Sequence, residues 1–381
     1  MATKRALVLS GGGARGAYHV GVLEALVAHG WMADGKGPDI IAGTSIGAIN
    51  AAAIASGRTI AELKRRWLGM HTEDVHQLSP DLPPLARPLA RLLLRSILTS
   101  EDHAPHEPLP EENMSLTLGG FRDRVSALFT AQPFRSLLDT APWRHTLASW
   151  MDFERINSPD APALLLTATD VQTGALRTFC NRTIDGRPHD VIAMEHLLAS
   201  SSIPMVYPWT EIDGAKYWDG AVLSNTPLGP IIDLAGDDDL EILVVLMTPW
   251  HADESVFSAR LEAMPQDMAQ AIALTLDWAL LASYRSSIKM LRNYNQLADA
   301  AARLERAAQL TGDDSMRMAG HVRRRIAEPT VIAPEQLMPL EWIIDYEERN
   351  HHTLFEIGYT DAERALAQRL MVKEVGHIDS M

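Results

Sequence analysis

The chain has 381 residues, 46% hydrophobic and 22% charged. That is a globular mix, long enough for a sizeable core, and it excludes fibrous and disordered classes. With 49 Asp and Glu against 34 Lys and Arg, the formal charge is −15, which makes nucleic acid a poor partner and sets the body as a whole against anionic membranes.

Residues 5–9 predict a short buried strand, and Gly11 to Gly16 a glycine-rich turn. Ala17 to Ala28 follow as a helix, stopped by Gly30. Asp39 to Ala42 read as a second strand, Gly43 to Gly47 as a second tight turn, and Ala48 to Ala55 as a helix of small residues. Strand, turn and helix twice over favour a parallel sheet with helices packed on it. The region 58–160 is broken by prolines, and its Pro-rich part at 80–112 reads as a lid or insertion. Ala163 to Thr169 predict a strand, Val191 to Ala199 a helix and Leu240 to Met247 the strongest strand of the chain. Residues 265–325 are helical in pattern, with apolar Met264, Met268, Ile272 and Leu276 read as core. Glu328 to Ala333 read as one more strand. Thr360 to Glu363 predict a capping box opening a last helix, with Gly358 ending the element before it.

Cys180 is the only cysteine, which excludes an intramolecular disulfide and Cys-rich metal sites. The apolar run Ala6 to Leu9 is too short for a signal-peptide core, and no run approaches a spanning helix. The expectation is a cytoplasmic protein.

Gly11, Gly13 and Gly16 satisfy a G-x-G-x-x-G pattern between a strand and a helix, with Asp34 or Asp39 about 20 residues on. Such a turn exposes N–H donors at a helix start and suits an anion. A dinucleotide phosphate and the oxyanion of an acyl-transfer transition state are the readings this motif leaves open, with a tight turn that holds no ligand behind them. Gly43-Thr44-Ser45-Ile46-Gly47 is G-x-S-x-G in strand-to-helix context, the setting of a nucleophile elbow. A dinucleotide fold leaves that second elbow unexplained, whereas an acyl hydrolase uses one turn as donor and the other as nucleophile.

Ser45 needs a base. His189, His196, His251, His321, His351 and His352 would each allow a triad, but none has a distinguishing context. His196 reads as structural, and His351-His352 as surface residues in a charged run. A carboxylate stands out instead. Asp213-Gly214 predicts a hairpin turn, and Asp219-Gly220-Ala221 follows the returning strand.

In order and spacing, Gly11-Gly12-Gly13-Ala14-Arg15-Gly16, Gly43-Thr44-Ser45-Ile46-Gly47 and Asp219-Gly220-Ala221 resemble the patatin-like phospholipase family. Ala199 to Pro208, Asn225 and Pro227 resemble it too. The resemblance covers about 5–60 and 160–250, is weaker at 328–370 and is not visible over 70–150. It implies a three-layer α/β/α sandwich with a mostly parallel central sheet. The catalytic domain would span 5–232 with a helical insertion at about 70–155, and 233–381 would add the final core strand and C-terminal helices. It further implies acyl-ester hydrolysis of lipids by a Ser45–Asp219 dyad through an acyl-enzyme, without histidine, metal or cofactor. Gly11, Gly12 and Gly13 would hold the oxyanion and Arg15 would brace the loop, with Gly16, Gly43, Gly47, Gly220 and Ala221 shaping the turns. The alternatives are a nucleotide-binding module using Gly11–Gly16, a histidine triad, or a lipid-binding scaffold.

Residues 82–98 carry Leu82, Leu85, Leu89, Leu92, Leu93 and Ile97 near helical spacing, with Arg87, Arg91 and Arg95 between them and no acid over 84–98. This basic amphipathic segment reads as a core-packed helix, or as a lid or peripheral membrane contact. Trp209 and Trp218, near the active loop, read as core packing, with the lining of an acyl pocket as the alternative.

Overall fold

The computed structural model describes residues 3–84, 86–88, 90, 126, 136–184, 186–236, 238–250, 264–265, 268–311 and 325–378. An eight-stranded mixed sheet forms its centre. Strand β1 (Lys4–Leu9) pairs in parallel with β2 (Ile40–Thr44) on one side. On its other side it pairs in parallel with β9 (Leu240–Val245), which is followed outward by β10 (Thr330–Ile332). Strand β2 pairs in parallel with β5 (Ala163–Asp170). The remaining strands, β6 (Leu176–Cys180), β7 (Thr210–Ile212) and β8 (Ala215–Asp219), run antiparallel to their neighbours. A separate short pair joins β3 (Gln77–Leu78) to β4 (Leu138–Asp139).

The alternation of side chains along β1 explains the layering. Leu7 and Leu9 enter one core with Ile41, Leu164 and Leu243. Helices α1 (Ala17–Ala28), α2 (Ile46–Ala55), α3 (Ile60–Leu68) and α4 (Ala141–Trp150) close that core, together with α9 (Glu348–Ile378). Ala6 and Val8 enter a second core on the opposite face with Leu165 and Val244. There α7 (Leu228–Ala235) and α8 (Met268–Thr311) cover the sheet. The smaller helices are α5 (Phe153–Ile156) and α6 (Met194–Ser200). This is the expected α/β sandwich with C-terminal helices.

Three expectations are corrected. The predicted break at Gly358 and the new start at Thr360 are absent, because α9 runs through both. Gly358 is there for packing: a Cβ on it would fall 2.1 Å from the Tyr18 carbonyl oxygen of α1, and one on Gly21 would fall 2.0 Å from that of Phe355. Facing glycines let α1 and α9 approach closely, and the Tyr18 hydroxyl donates to Asp361 Oδ2 at 3.1 Å. His351, expected at the surface, is fully buried against Trp67 and Tyr346. Within 265–325 the core-facing line is not the predicted one, since Leu276 is exposed while Asp277, Leu281, Tyr284 and Ile288 are buried. Of the basic stretch 84–98 only residues 84, 86–88 and 90 are described: Ala86 and Ala90 are buried with Leu82, and Arg87 donates to the carbonyls of Leu82 and Pro80, while the rest lies outside the described residues, as do His251 and His321.

Candidate active site

Strand β5 brings the two motif ends together. Its residues 163–167 pair with β2, ending at Thr44 opposite Thr167. Its residues 168–170 pair with β8, ending at Asp219 opposite Ala168. Because residues 165–169 also pair with β6, β6 takes one edge of β5, and β2 and β8 share the other. The last residues of two strands from distant parts of the chain therefore abut at adjacent positions of a third.

Ser45 follows Thr44 at φ 56°, ψ −128°, a conformation that costs a non-glycine residue about 1–3 kcal/mol. The turn is held where it is by close backbone contacts. A Cβ at Gly47 would fall 2.2 Å from the Leu9 carbonyl oxygen, and one at Gly43 would fall 2.3 Å from that of Gly47. The Ser45 carbonyl accepts from the N–H of Ala48 at 2.9 Å and starts α2. Its N–H donates to Ser200 Oγ at 3.1 Å. The elbow is thus anchored on both sides, with the side chain buried at the sheet's C-terminal edge.

Asp219 is also buried. Its N–H donates to the Ser202 carbonyl at 2.8 Å, its carbonyl accepts from Thr169 Oγ1 at 3.0 Å, and Oδ1 accepts from the Ala221 N–H at 2.8 Å. Oδ2 is buried without a hydrogen bond of ordinary geometry. Burial raises the carboxyl pKa to about 7, opposed by the Ser45 hydroxyl beside it and by the Ala221 N–H. A carboxyl tuned there is poised for proton transfer near neutral pH. Gly220 packs against Thr167, next to the Thr44–Thr167 hydroxyl contact of 2.6 Å.

The glycine loop lies against Ser45. The Gly11 N–H donates to Asn225 Oδ1 at 2.7 Å. The N–H groups of Gly12 and Gly13 carry no hydrogen bond to another described residue. Gly16 offers its carbonyl to Asn50 Nδ2 at 2.9 Å. Arg15 points away from Ser45 into the buried interface with the C-terminal helices. There it pairs with Asp277 at 2.7 Å and donates to the carbonyls of Met338 and Pro339. The acids that a dinucleotide reading would use are engaged elsewhere: Asp34 accepts from the Ile60 N–H and Asp39 from the Arg5 N–H.

A cavity of about 20 Å³ reaches Ser45, room for about one water. Gly13, Trp143, Tyr207, Ile343 and Tyr346 are among its walls. Tyr207 shares a 2.8 Å hydrogen bond with His76. Sequence reading missed Trp143 and Tyr346, since a lone aromatic in a stretch without a motif gives no signal, and it gave Tyr207 no role although it lies in the family-like segment Ala199 to Pro208. Trp209 and Trp218 are half-buried and do not line this cavity, and Trp209 faces Lys216. Of the described histidines proposed for a triad, His196 caps α6 by accepting from the Ala193 N–H, while His189 and His352 are exposed.

The sequence profile described as patatin-like phospholipase matches residues 7–232, more than half of the chain. The chain belongs to the patatin-like phospholipase family. The chain is similar to patatin-like phospholipase domain-containing protein 6 of Homo sapiens, with 32% identity over 144 residues. That match covers 38% of this chain and only 10% of the relative's length. The corresponding protein 7 of Rattus norvegicus is 31% identical over 147 residues, again 38% of this chain and 10% of the relative. Among solved structures, VipD from Legionella pneumophila aligns over 96% of this chain and 67% of its own, with 14% identity and a TM-score of 0.40. Human GIVD cytosolic phospholipase A2 aligns over 96% and 60%, with 13% identity and a TM-score of 0.30. A lipid substrate is what patatin-like membership implies. Among the described residues no cluster of His, Cys, Asp and Glu could hold a metal ion, and no helix is long and apolar enough to cross a membrane.

Proposed function

We propose that this protein is a serine acyl hydrolase that cleaves carboxylic esters of lipids with a Ser45–Asp219 dyad. The observation that carries the reading is the meeting of a strained, buried Ser45 and a buried Asp219, whose pKa is raised to about 7, at the shared edge of β5. Ser45 Oγ attacks the ester carbonyl carbon while its proton passes to Asp219. The carbonyl π electrons move to oxygen, and the N–H groups of Gly12 and Gly13 take the resulting oxyanion. Gly11 serves differently from the sequence expectation: its N–H is committed to Asn225 and fixes the loop's position. Collapse of the intermediate breaks the bond to the leaving oxygen, which takes the proton from Asp219. Water then repeats the sequence on the acyl-enzyme, with Asp219 again as base.

The removal of charge solvation around Asp219 makes it a stronger base than an exposed carboxylate. A donor to the oxyanion is worth about 2.7–4 kcal/mol. A cavity for one water is smaller than an ester, so part of its wall must draw back for substrate to enter. Hydrolysis of a p-nitrophenyl acyl series and of phospholipid vesicles, alongside fluorophosphonate labelling, tests the reading. Labelling at Ser45 and loss of turnover in Ser45→Ala and Asp219→Asn are expected. Full turnover in Asp219→Asn would remove the dyad.

A further inference from the structure

Helix α6 runs out into three serines, Ser200, Ser201 and Ser202. The first and third of them each hold one member of the proposed dyad by its backbone. Ser200 Oγ accepts from the Ser45 N–H at 3.1 Å, and the Ser202 carbonyl accepts from the Asp219 N–H at 2.8 Å. Ser200 is 0% and Ser202 4% exposed, so a donor that loses its acceptor there has no solvent to turn to. Nucleophile and base thus hang from residues two apart at the end of one helix.

The three side chains are spent differently. Ser201 Oγ donates to the Leu197 carbonyl at 3.0 Å. Ser202 Oγ donates to the Leu198 carbonyl at 2.7 Å and meets Thr210 Oγ1 of β7 at 2.9 Å. These bonds fix the helix end itself, whereas Ser200 Oγ reaches across to the elbow. The Ser45 N–H lies in the Thr44–Ser45 peptide plane, and rotation about the N–Cα bond of Ser45 sets its direction relative to the side chain. At φ 56° that residue sits where a Cβ is disfavoured. Rotation toward negative φ would relieve the strain. It would also turn the N–H from Ser200 Oγ, or carry the hydroxyl off the Asp219 carboxyl beside it.

We infer that Ser200 is a positioning residue for the nucleophile: its hydroxyl oxygen holds Ser45 in the strained turn, against Asp219, while Ser202 holds Asp219 from the same helix end. The role rests on the Ser45–Asp219 reading and adds a second fixed point to the register of β5. Ser56 supplies a comparison. It is buried at the other end of α2, where its Oγ donates to the Ala52 carbonyl at 2.9 Å and accepts from the Asp152 N–H at 3.0 Å. Each end of α2 thus has a buried hydroxyl oxygen that accepts a backbone N–H, and Ser200 is the one that accepts from the nucleophile.

Turnover of a soluble p-nitrophenyl ester, the rate of fluorophosphonate labelling and thermal denaturation test it on Ser200→Ala, Ser200→Cys and Ser56→Ala. In Ser200→Ala, kcat and the labelling rate should fall together by about tenfold to a hundredfold, with KM within about twofold of wild type. The label should still form on Ser45. Ser200→Cys should fall between, because a thiol is a weak acceptor. Should Ser200→Ala not fold, the same loss of kcat at constant KM is read from Ser200→Cys. Ser56→Ala should melt lower with kcat unchanged, which a general loosening of α2 would not give. Wild-type kcat and labelling rate in folded Ser200→Ala, a change in KM alone, or an equal loss of kcat in Ser56→Ala would overturn the role while Ser45 still labels. Absence of label on Ser45 in the wild type would overturn the dyad reading and the role with it.

Discussion

Replacing Asp219 by asparagine removes a titration without removing a shape, which separates the electrostatics of the site from its packing. Burial raises the Asp219 pKa from 3.8 to about 7 in the folded protein. That rise corresponds to about 4 kcal/mol of folding free energy. The sign follows from linkage. Below about pH 4 the carboxyl is neutral in both states and costs nothing. Between about pH 4 and pH 7 the unfolded chain releases the proton and the folded chain keeps it, so stability falls as pH rises. Above about pH 7 the loss is complete and constant. The substituted amide cannot ionise, and its oxygen still accepts from the Ala221 N–H. Urea denaturation of both proteins across this range should show Asp219→Asn gaining on wild type by up to about 4 kcal/mol, with the gap opening between about pH 4 and pH 7. Turnover should vanish in the same variant, while wild-type kcat/KM climbs through pH 7 as Asp219 becomes a base. A stability gap independent of pH would refute the reasoning, because it would mean that this carboxyl is not held in its neutral form by burial.

Ser45→Gly should abolish turnover yet raise stability by about 1–3 kcal/mol in thermal denaturation, since glycine occupies the elbow's positive φ without strain. Asn225→Ala leaves the Gly11 N–H without its acceptor and should cost about 1–3 kcal/mol in urea denaturation, with kcat falling more than KM rises. Arg15→Met strands a buried Asp277 and should cost about 3–5 kcal/mol, whereas Arg15→Met with Asp277→Leu should recover much of it in the same assay.

The strand–turn–helix units at either end of the glycine loop and the elbow were legible because each combines a short apolar run with glycines at fixed offsets. The Asp213-Gly214 hairpin was legible for the same reason, and both residues have positive φ as its turn requires. What joined Ser45 to Asp219 was not legible: a strand far from both in sequence, Ala163–Asp170, sets their separation through its register. Gly358 misled because a glycine near a capping pattern reads as a stop, whereas its role is contact with Tyr18 across 340 residues of chain. His351 misled because its charged neighbours hid a position that packs inward on Trp67. The cavity walls come from isolated aromatics that only tertiary structure gathers.

The shared edge of β5 also sets how this protein can fail. Strand β8 is fixed to it by three paired residues, with Val171 N–H donating to the Lys216 carbonyl just beyond them. Slippage by one residue would turn Asp219 to the opposite face of the sheet and carry Tyr217, buried in the main core on the same face, out with it. On the proposed dyad, a batch containing such chains would melt lower and titrate with fewer reactive serines than chains. The fraction of active centres and the melting temperature should therefore fall together where this strand has paired wrongly.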